Sequence, residues 1–238
     1  PVWMLEQIEN LVSVIISMSG WSYFDAMTIV HWCIATYGFD VVRKFPVFIV
    51  FGRFGTGKTT LLEMIENLAN PPKSAKGDPL RNEMRLSGDL SKAINRNKLA
   101  EGGTHCMDEA DDFDERYLPK VFDRFSSNMT VNVAQGNGKW EAEELQIQTA
   151  LAMHRRIPLK DPANQDRSII LHTKAVDLGM EGKRAPDMRL IKASLPAIEK
   201  IAETISPTWK EIPESGTSRQ QEKWMPLRHV ANQLGNVR

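Results

Sequence analysis

The sequence predicts an α/β fold in which a parallel β-sheet carries helices on both faces. Short apolar runs alternate with loops and helical stretches through the middle of the chain, as expected when helices join parallel strands. Residues 46–51 (PVFIVF) form a nearly unbroken apolar run, which is typical of a strand buried on both faces. A glycine-rich segment and then a helix with an apolar stripe follow this run directly.

The composition sets limits on function. The 238 residues are 42% apolar and 25% charged, as in ordinary soluble domains, and they suffice for one α/β domain with or without a small satellite. Lys+Arg and Asp+Glu are 30 each, so nucleic-acid binding would need a local basic patch. The apolar run at 11–18 is too short to span a bilayer. We therefore expect a cytoplasmic protein without membrane contact. Because the chain begins at Pro1, we also expect it to be a piece of a longer polypeptide.

The first element is a helical lead-in over residues 1–45, predicted to pack on the core. Its helices are expected at 3–18 and 22–37. Ser22 is a suitable N-cap for the second helix, and Gly38 stands where a helix stop is needed.

The core is predicted to span residues 46–175. The strand at 46–51 begins it, a helix at 59–69 follows, and residues 70–78 form a loop by composition. The remaining predicted elements are a short strand ending at Leu86, a helix capped by Ser87 or Asp89 and running to about Asn95, strands at 104–107, 149–153 and 168–172, a helix at 117–125, and a hairpin of 130–135 with 140–146 around the turn GNGK. From about Ala175 no strand is obvious, so residues 176–238 are predicted to form a small helical subdomain.

Residues 52–59 (GRFGTGKT) match the phosphate-binding loop pattern residue for residue, between a buried strand and a helix. The glycines let successive backbone N–H groups point at phosphates, and the helix N-terminus adds its dipole. Lys58 would reach the β- and γ-phosphates, and the Thr59 hydroxyl would ligate Mg²⁺. The sequence therefore predicts a P-loop NTPase with ATP and Mg²⁺ as ligands; the alternative is an accidental glycine-rich turn. The predicted nucleotide-binding residues here are Gly52, Arg53, Phe54, Gly55, Thr56, Gly57, Lys58, Thr59 and Thr60.

Two adjacent acids end the strand at 104–107. In this architecture Asp108 would hold the Mg²⁺ water shell, and Glu109 would orient the attacking water as the catalytic acid–base residue. Three more aspartates follow within five residues, so the alternative is an acidic, solvated loop. Asp111 is the next candidate for the catalytic carboxylate.

Arg167 immediately precedes the last predicted strand. In P-loop ATPases of the AAA+ type, an arginine so placed reaches the nucleotide of a neighbouring subunit and stabilises charge on the transferring phosphoryl group, an effect of about 10³–10⁵ in rate where an arginine finger has been measured. The alternative is a surface arginine paired with Asp166.

His154 follows the predicted strand 149–153, where such ATPases place a polar residue that senses the γ-phosphate; the alternative is a surface His–Arg–Arg turn.

At the hairpin, Lys139 in the turn and Trp140 beside it would suit a nucleic acid, through charge and base stacking. Glu141, Glu143 and Glu144 stand close by and would repel a phosphate backbone.

Several stretches together resemble an uncharacterised family of P-loop ATPase domains in proteins of phages, plasmids and other mobile elements, usually labelled primase-helicases. The stretches are the lead-in with Trp32, GKTTLLEMI, the helix after Ser87, MDEADDF, the hairpin before ALAM, IPLKDPANQDRSIIL, and SRQQEKWMPLRHVANQLG. The resemblance covers nearly the whole chain and implies roles for Lys58, Thr59, Asp108, Glu109 and Arg167. It also suggests Arg219 as a second arginine near the nucleotide, whereas the family has a small residue in place of His154.

The order of elements also looks like that of the hexameric helicases of small DNA viruses. We therefore expect an AAA+-like ATPase that forms a homo-oligomer, with a hexamer favoured, and acts on single-stranded or duplex DNA as a helicase or translocase. A primase module would be fused to it or associated with it. The rival expectation is an ATP-dependent switch or protein remodeller without strand translocation, and a small-molecule kinase ranks third.

Overall fold

A computed structural model of the chain describes residues 2–19, 21–52, 58–87, 93–124, 129–134, 140–173 and 187–235. The strands are β1 (Val47–Phe51), β2 (Arg85–Ser87), β3 (Thr104–Asp108), β4 (Met129–Ala134), β5 (Trp140–Leu145), β6 (Ala150–Arg155) and β7 (Ser168–His172). The helices are α1 (Val2–Ser19), α2 (Tyr23–Ala35), α3 (Lys58–Leu68), α4 (Ala93–Ala100), α5 (Leu118–Phe122), α6 (Pro162–Gln165), α7 (Met188–Ile205) and α8 (Arg219–Leu234). Short 3₁₀ turns cover Thr36–Gly38, Arg81–Glu83, Ala110–Asp112, Glu115–Tyr117 and Ser206–Glu211.

Five strands form one parallel sheet in the order β2-β3-β6-β1-β7. β1 lies between β6 and β7, with Phe48 opposite Ala152 and Ile169. This position explains why its sequence is apolar throughout, since the strand has neighbours on both edges and helices above and below. The hairpin of β4 and β5 is a separate two-stranded antiparallel sheet between β3 and β6 in the chain.

The two faces of the sheet are covered by different helices. Phe48 and Val50 of β1 belong to one hydrophobic core with residues of α1, α2, α3, α7 and α8. Val47 and Ile49 point to the other side, where they share a second core with Leu99 of α4 and with residues of α5. The predicted parallel sheet with helices on both faces is therefore confirmed.

The helices at the two ends of the chain pack together on the first face. α1 contacts α2 and α7, and α2 contacts α8. The Trp32 indole of α2 donates to the Pro46 carbonyl at 3.0 Å, which ties this layer to the start of β1. The predicted domain boundaries at residues 45 and 175 stay a prediction. Helices from both end segments contribute residues to the hydrophobic core on this face of the sheet.

Several predicted boundaries were right and others were wrong. Ser22 caps α2 as predicted, in a capping box with Asp25. α4 runs on to Ala100 instead of ending near Asn95, and the chain then enters Gly102 and Gly103, both with positive φ. α5 is shorter than predicted, because Asp123 at its end is already extended.

Candidate nucleotide site

The carboxyl ends of β1, β3 and β6 meet at one edge of the sheet, because these strands are parallel and lie side by side. Gly52 follows β1 at this edge, and its backbone N–H donates to the Arg155 carbonyl of β6 at 3.2 Å. The rest of the predicted phosphate loop, Arg53, Phe54, Gly55, Thr56 and Gly57, lies outside the described residues.

The first turn of α3 contains Lys58, Thr59 and Thr60. Lys58 is buried, with 5% of its surface exposed, whereas Thr59 is exposed and Thr60 half-buried. Burial lowers the pKa of the Lys58 ammonium and Arg156 lowers it further, while Asp111 and Asp108 act in the opposite direction. The pKa of Lys58 is thus influenced by charged groups of both signs, at Arg156, Asp111 and Asp108.

Asp108 ends β3 and has partners at both carboxylate oxygens. Its Oδ1 accepts the Glu109 backbone N–H at 3.1 Å and pairs with His154 Nδ1. Its Oδ2 accepts Arg85 Nη1 at 3.1 Å. The side chain nevertheless retains about a quarter of its surface exposed to solvent, so its oxygens can be reached.

Glu109 adopts a left-handed backbone conformation, with φ 51° and ψ 49°. Its N–H points back toward Asp108 and toward His154 Nδ1, at 3.3 Å. Its side chain is exposed at the edge of the sheet. The two adjacent acids therefore differ in their surroundings. The Asp108 carboxylate is held by hydrogen bonds, whereas the Glu109 side chain faces solvent.

The acids after Glu109 have structural roles. Asp111 accepts the Arg156 side chain and backbone N–H, both at 2.7 Å, and the Ile157 N–H at 3.0 Å. Burial alone would raise the pKa of Asp111, but these hydrogen bonds outweigh it and lower the pKa. Asp114 pairs with Arg116. The Asp111 carboxylate is thus occupied by hydrogen bonds from the segment after β6. This makes Asp111 a weaker candidate than Glu109 for the catalytic carboxylate.

His154 lies within β6, and so does Arg155, which corrects the prediction that the strand ends at residue 153. His154 is 6% and Arg155 2% exposed, so the alternative of a surface His–Arg–Arg turn is wrong for both. Arg155 bonds the Glu115 carboxylate at 3.1 Å. β6 continues to residue 155, with the His154 ring beside Asp108 and the Arg155 guanidinium beside Glu115.

Arg167 lies at the opposite edge of the sheet, where β7 begins. Its carbonyl accepts the N–H of Val47, the first residue of β1, at 3.2 Å. Its guanidinium donates to the Ala163 carbonyl at 2.9 Å, whereas the Asp166 carboxylate accepts from Gln220 at 2.6 Å. The Arg167 and Asp166 side chains therefore bond to different partners, and not to each other as the predicted alternative of a surface pair requires.

Arg167 and Arg219 line one cavity of about 240 Å³. Burial lowers the pKa of Arg167 and the charge of Arg219 lowers it further. The other residues that line the cavity are Lys44, Pro119, Lys120, Phe122, Asp123 and Glu222. The structure thus brings together two arginines that lie 52 positions apart in the sequence, at the edge away from the phosphate loop.

The hairpin forms as predicted, with β5 beginning at Trp140. Lys139 lies outside the described residues. Glu141 and Glu144 of β5 are exposed.

Two residues of the site were not predicted from the sequence. Arg85 of β2 and Glu66 of α3 join Asp108 in one charged cluster. The only sequence signal for Arg85 is the short strand that ends near it. Its pairing with β3 depends on the register Arg85 opposite Cys106, which no local pattern specifies.

No protein-family model matches the sequence, and no curated protein matches it. Among solved structures, the C-terminal region of NrS-1 is similar at 14% identity with a TM-score of 0.49, over 96% of this chain and 51% of that one. JCV helicase is similar at 15% identity and a TM-score of 0.41, over 96% and 66%. A full-length MCM homolog from Methanopyrus kandleri is similar at 11% identity and a TM-score of 0.45, over 98% and 56%.

The chain spans about half the length of the NrS-1 chain that it matches. Similarity at this level leaves the function to be argued from the residues of the chain itself. Across the described part of the chain, no helix has the length and apolar character that crossing a membrane requires.

Proposed function

We propose that the chain is a Mg²⁺-dependent ATPase whose site is completed by a neighbouring copy of the chain, and that it acts on DNA as a helicase or translocase. The observation that carries the ATPase part is Lys58. It is buried in the first turn of α3, which follows β1, and Asp108 ends the strand β3 of the same parallel sheet. A buried lysine at a helix N-terminus beside carboxylates suits the phosphates and the metal of a bound nucleotide.

The residues around Lys58 fit such a ligand. The Thr59 hydroxyl is exposed in the same turn, and the Asp108 carboxylate ends β3. Oxygen atoms of this kind are the ligands that Mg²⁺ prefers. When bound, Mg²⁺ would neutralise charge on the phosphates. Lys58 would bind the β- and γ-phosphates, and exposed Glu109 would orient water and accept its proton.

Arg167 supports the involvement of a second subunit. It lies where β1 begins, and the phosphate loop follows the other end of that strand. Strands rise about 3.3 Å per residue, so these ends lie about 15 Å apart, farther than an arginine side chain reaches. Arg167 and Arg219, which share a cavity, would therefore act on the nucleotide of a neighbour in a homo-oligomer, with a hexamer favoured.

One observation favours the rival function, an ATP-dependent switch or protein remodeller. The net charge is zero, and the described part of the hairpin exposes Glu141 and Glu144. Measuring ATP hydrolysis with and without single-stranded DNA, at two salt concentrations, separates the two. A helicase or translocase should be stimulated by DNA, and the stimulation should weaken at high salt. A DNA-independent rate would favour the switch. A primase module, fused or separate, would be a partner of the helicase.

The ATPase itself is tested with Lys58→Ala. ATP and Mg²⁺ should raise the melting temperature of the wild type, because a ligand that binds only the native state stabilises it. The variant should fold, since Lys58 belongs to neither apolar core, yet show no shift with ATP. Lys210→Ala is the matched control, because Lys210 is an exposed lysine in the 3₁₀ turn Ser206–Glu211, outside the candidate site. An unchanged ATP affinity in folded Lys58→Ala would overturn the assignment.

A further inference from the structure

Arg85 connects two carboxylates that belong to different elements. Its Nε and Nη2 bind both oxygens of Glu66 on α3, the latter at 2.8 Å. Its remaining group, Nη1, donates a single hydrogen bond to Asp108 Oδ2 at 3.1 Å. A forked, charge-assisted pair is stronger and more directional than a single bond. The single hydrogen bond to Asp108 should therefore break more easily than the fork to Glu66.

The position of Arg85 follows from the sheet. Arg85 stands opposite Cys106 and Ser87 opposite Asp108 in the parallel pair of β2 and β3. Side chains two residues apart lie on the same face of a strand. Arg85 and Asp108 therefore face the same side, where α3 covers the sheet through Leu62 and Cys106.

We propose that Arg85 is a positioning residue that holds Asp108 in the absence of a divalent cation and competes with the cation for the same carboxylate. This inference rests on the proposed function, in which Asp108 belongs to the Mg²⁺ site. Binding of the cation draws Asp108 Oδ2 away from Arg85, and the fork to Glu66 keeps the guanidinium from following it. Arg85 thereby sets the cation concentration at which the site fills.

Two substitutions should change cation affinity in opposite directions. Arg85→Gln removes a positive charge from Asp108 and should tighten binding of Mn²⁺, an EPR-visible stand-in for Mg²⁺. The pair of Arg85 and Asp108 is partly exposed to solvent, and removing such a pair should change binding by about threefold to fivefold. Within the part of the chain that the structure describes, Glu66→Gln leaves Asp108 as the one carboxylate bonded to Arg85, so Mn²⁺ binding should weaken about threefold. A merely structural role would shift both variants the same way.

The measurement is the concentration of free Mn²⁺ by EPR, with the full chain and a non-hydrolysable ATP analogue, after subtraction of the Mn²⁺ that the same analogue binds without protein. Arg85→Lys retains the charge but cannot form the fork to Glu66, so its Mn²⁺ affinity should lie between those of the wild type and Arg85→Gln. Arg81→Gln is the matched control, because Arg81 also holds α3, through the Glu66 and Ala69 carbonyls, and bonds Glu199. It should leave Mn²⁺ affinity unchanged.

The outcomes separate the two proposals. If Asp108→Asn binds Mn²⁺ as tightly as the wild type, the proposed metal site is wrong and the inference falls with it. If Asp108→Asn loses Mn²⁺ but Arg85→Gln, shown folded by its melting curve, fails to tighten binding, only the inference about Arg85 is overturned. Tighter binding in Arg85→Gln together with weaker binding in Glu66→Gln supports it.

Discussion

Glu109 is under backbone strain. Among the described residues it is the one non-glycine residue with positive φ. A side chain in this left-handed region costs about 1–2 kcal/mol, and such strain persists where the surrounding structure imposes it, often at functional sites. Here the contact that holds the backbone in this conformation is the hydrogen bond from the Glu109 N–H to Asp108 Oδ1.

This strain allows stability and catalysis to be separated at one position. Glu109→Gln should bind ATP normally but hydrolyse it about 10²–10⁴-fold more slowly, because the loss is that of a general base. Glu109→Gly should be equally slow, yet its free energy of unfolding should rise by about 0.5 kcal/mol. Relief of about 1–2 kcal/mol of strain exceeds the added freedom of the unfolded chain, about 0.4–1 kcal/mol. Steady-state hydrolysis and urea unfolding measure the two effects, and a wild-type rate in either variant would place the catalytic carboxylate elsewhere.

At the scale of elements, the position just before β3 is one where a residue larger than glycine does not fit. Gly103 has φ +75°, and a Cβ on it would lie 2.4 Å from the Pro72 nitrogen. The loop from α3 therefore passes directly over the start of β3. This close approach fixes the strand whose other end carries Asp108.

Gly103→Ala should therefore destabilise the protein by about 3 kcal/mol, combining the left-handed cost of about 1–2 kcal/mol with overpacking of about 1–3 kcal/mol. Gly77→Ala is the control, because Gly77 also has positive φ, +87°, but nothing lies within 4 Å of its added Cβ. It should lose only the left-handed cost. Urea unfolding of both variants measures the difference. Equal losses would show that the loop moves aside at Gly103.

At the scale of the molecule, the sheet separates Lys58 from Arg167. Because Arg167 is proposed to act on a neighbour, Arg167→Ala should bind ATP normally but hydrolyse it about 10³-fold or more slowly. Mixing it with Lys58→Ala should restore activity, since one kind of interface then joins an intact loop to an intact arginine. Light scattering with an ATP analogue establishes assembly first, and each variant alone is the control. A monomer with a wild-type rate without Arg167 would reject the shared site.

The sequence predicted what depends on neighbouring residues and missed what depends on packing. The apolar run of β1 and the acid at the end of β3 were found because strand burial and strand ends leave local patterns. The contact of Arg85 with Asp108 was missed because it depends on strand register. The pairing of Lys44 with Glu222, 178 residues away, depends on how α8 packs. The strand order β2-β3-β6-β1-β7 was likewise beyond any local pattern.

The placement of Lys58 and Arg167 at opposite edges of the sheet also has a consequence for counting. In the proposed assembly each chain contributes its phosphate loop to one site and its arginine to a neighbouring site. A lone chain therefore has no complete site. An open row of n chains then has n − 1 working sites, whereas a closed ring has n. Specific activity should therefore rise with protein concentration and level off at ring closure. A dilution series of the hydrolysis rate would thus give the concentration range over which the chains assemble, and the plateau would mark ring closure.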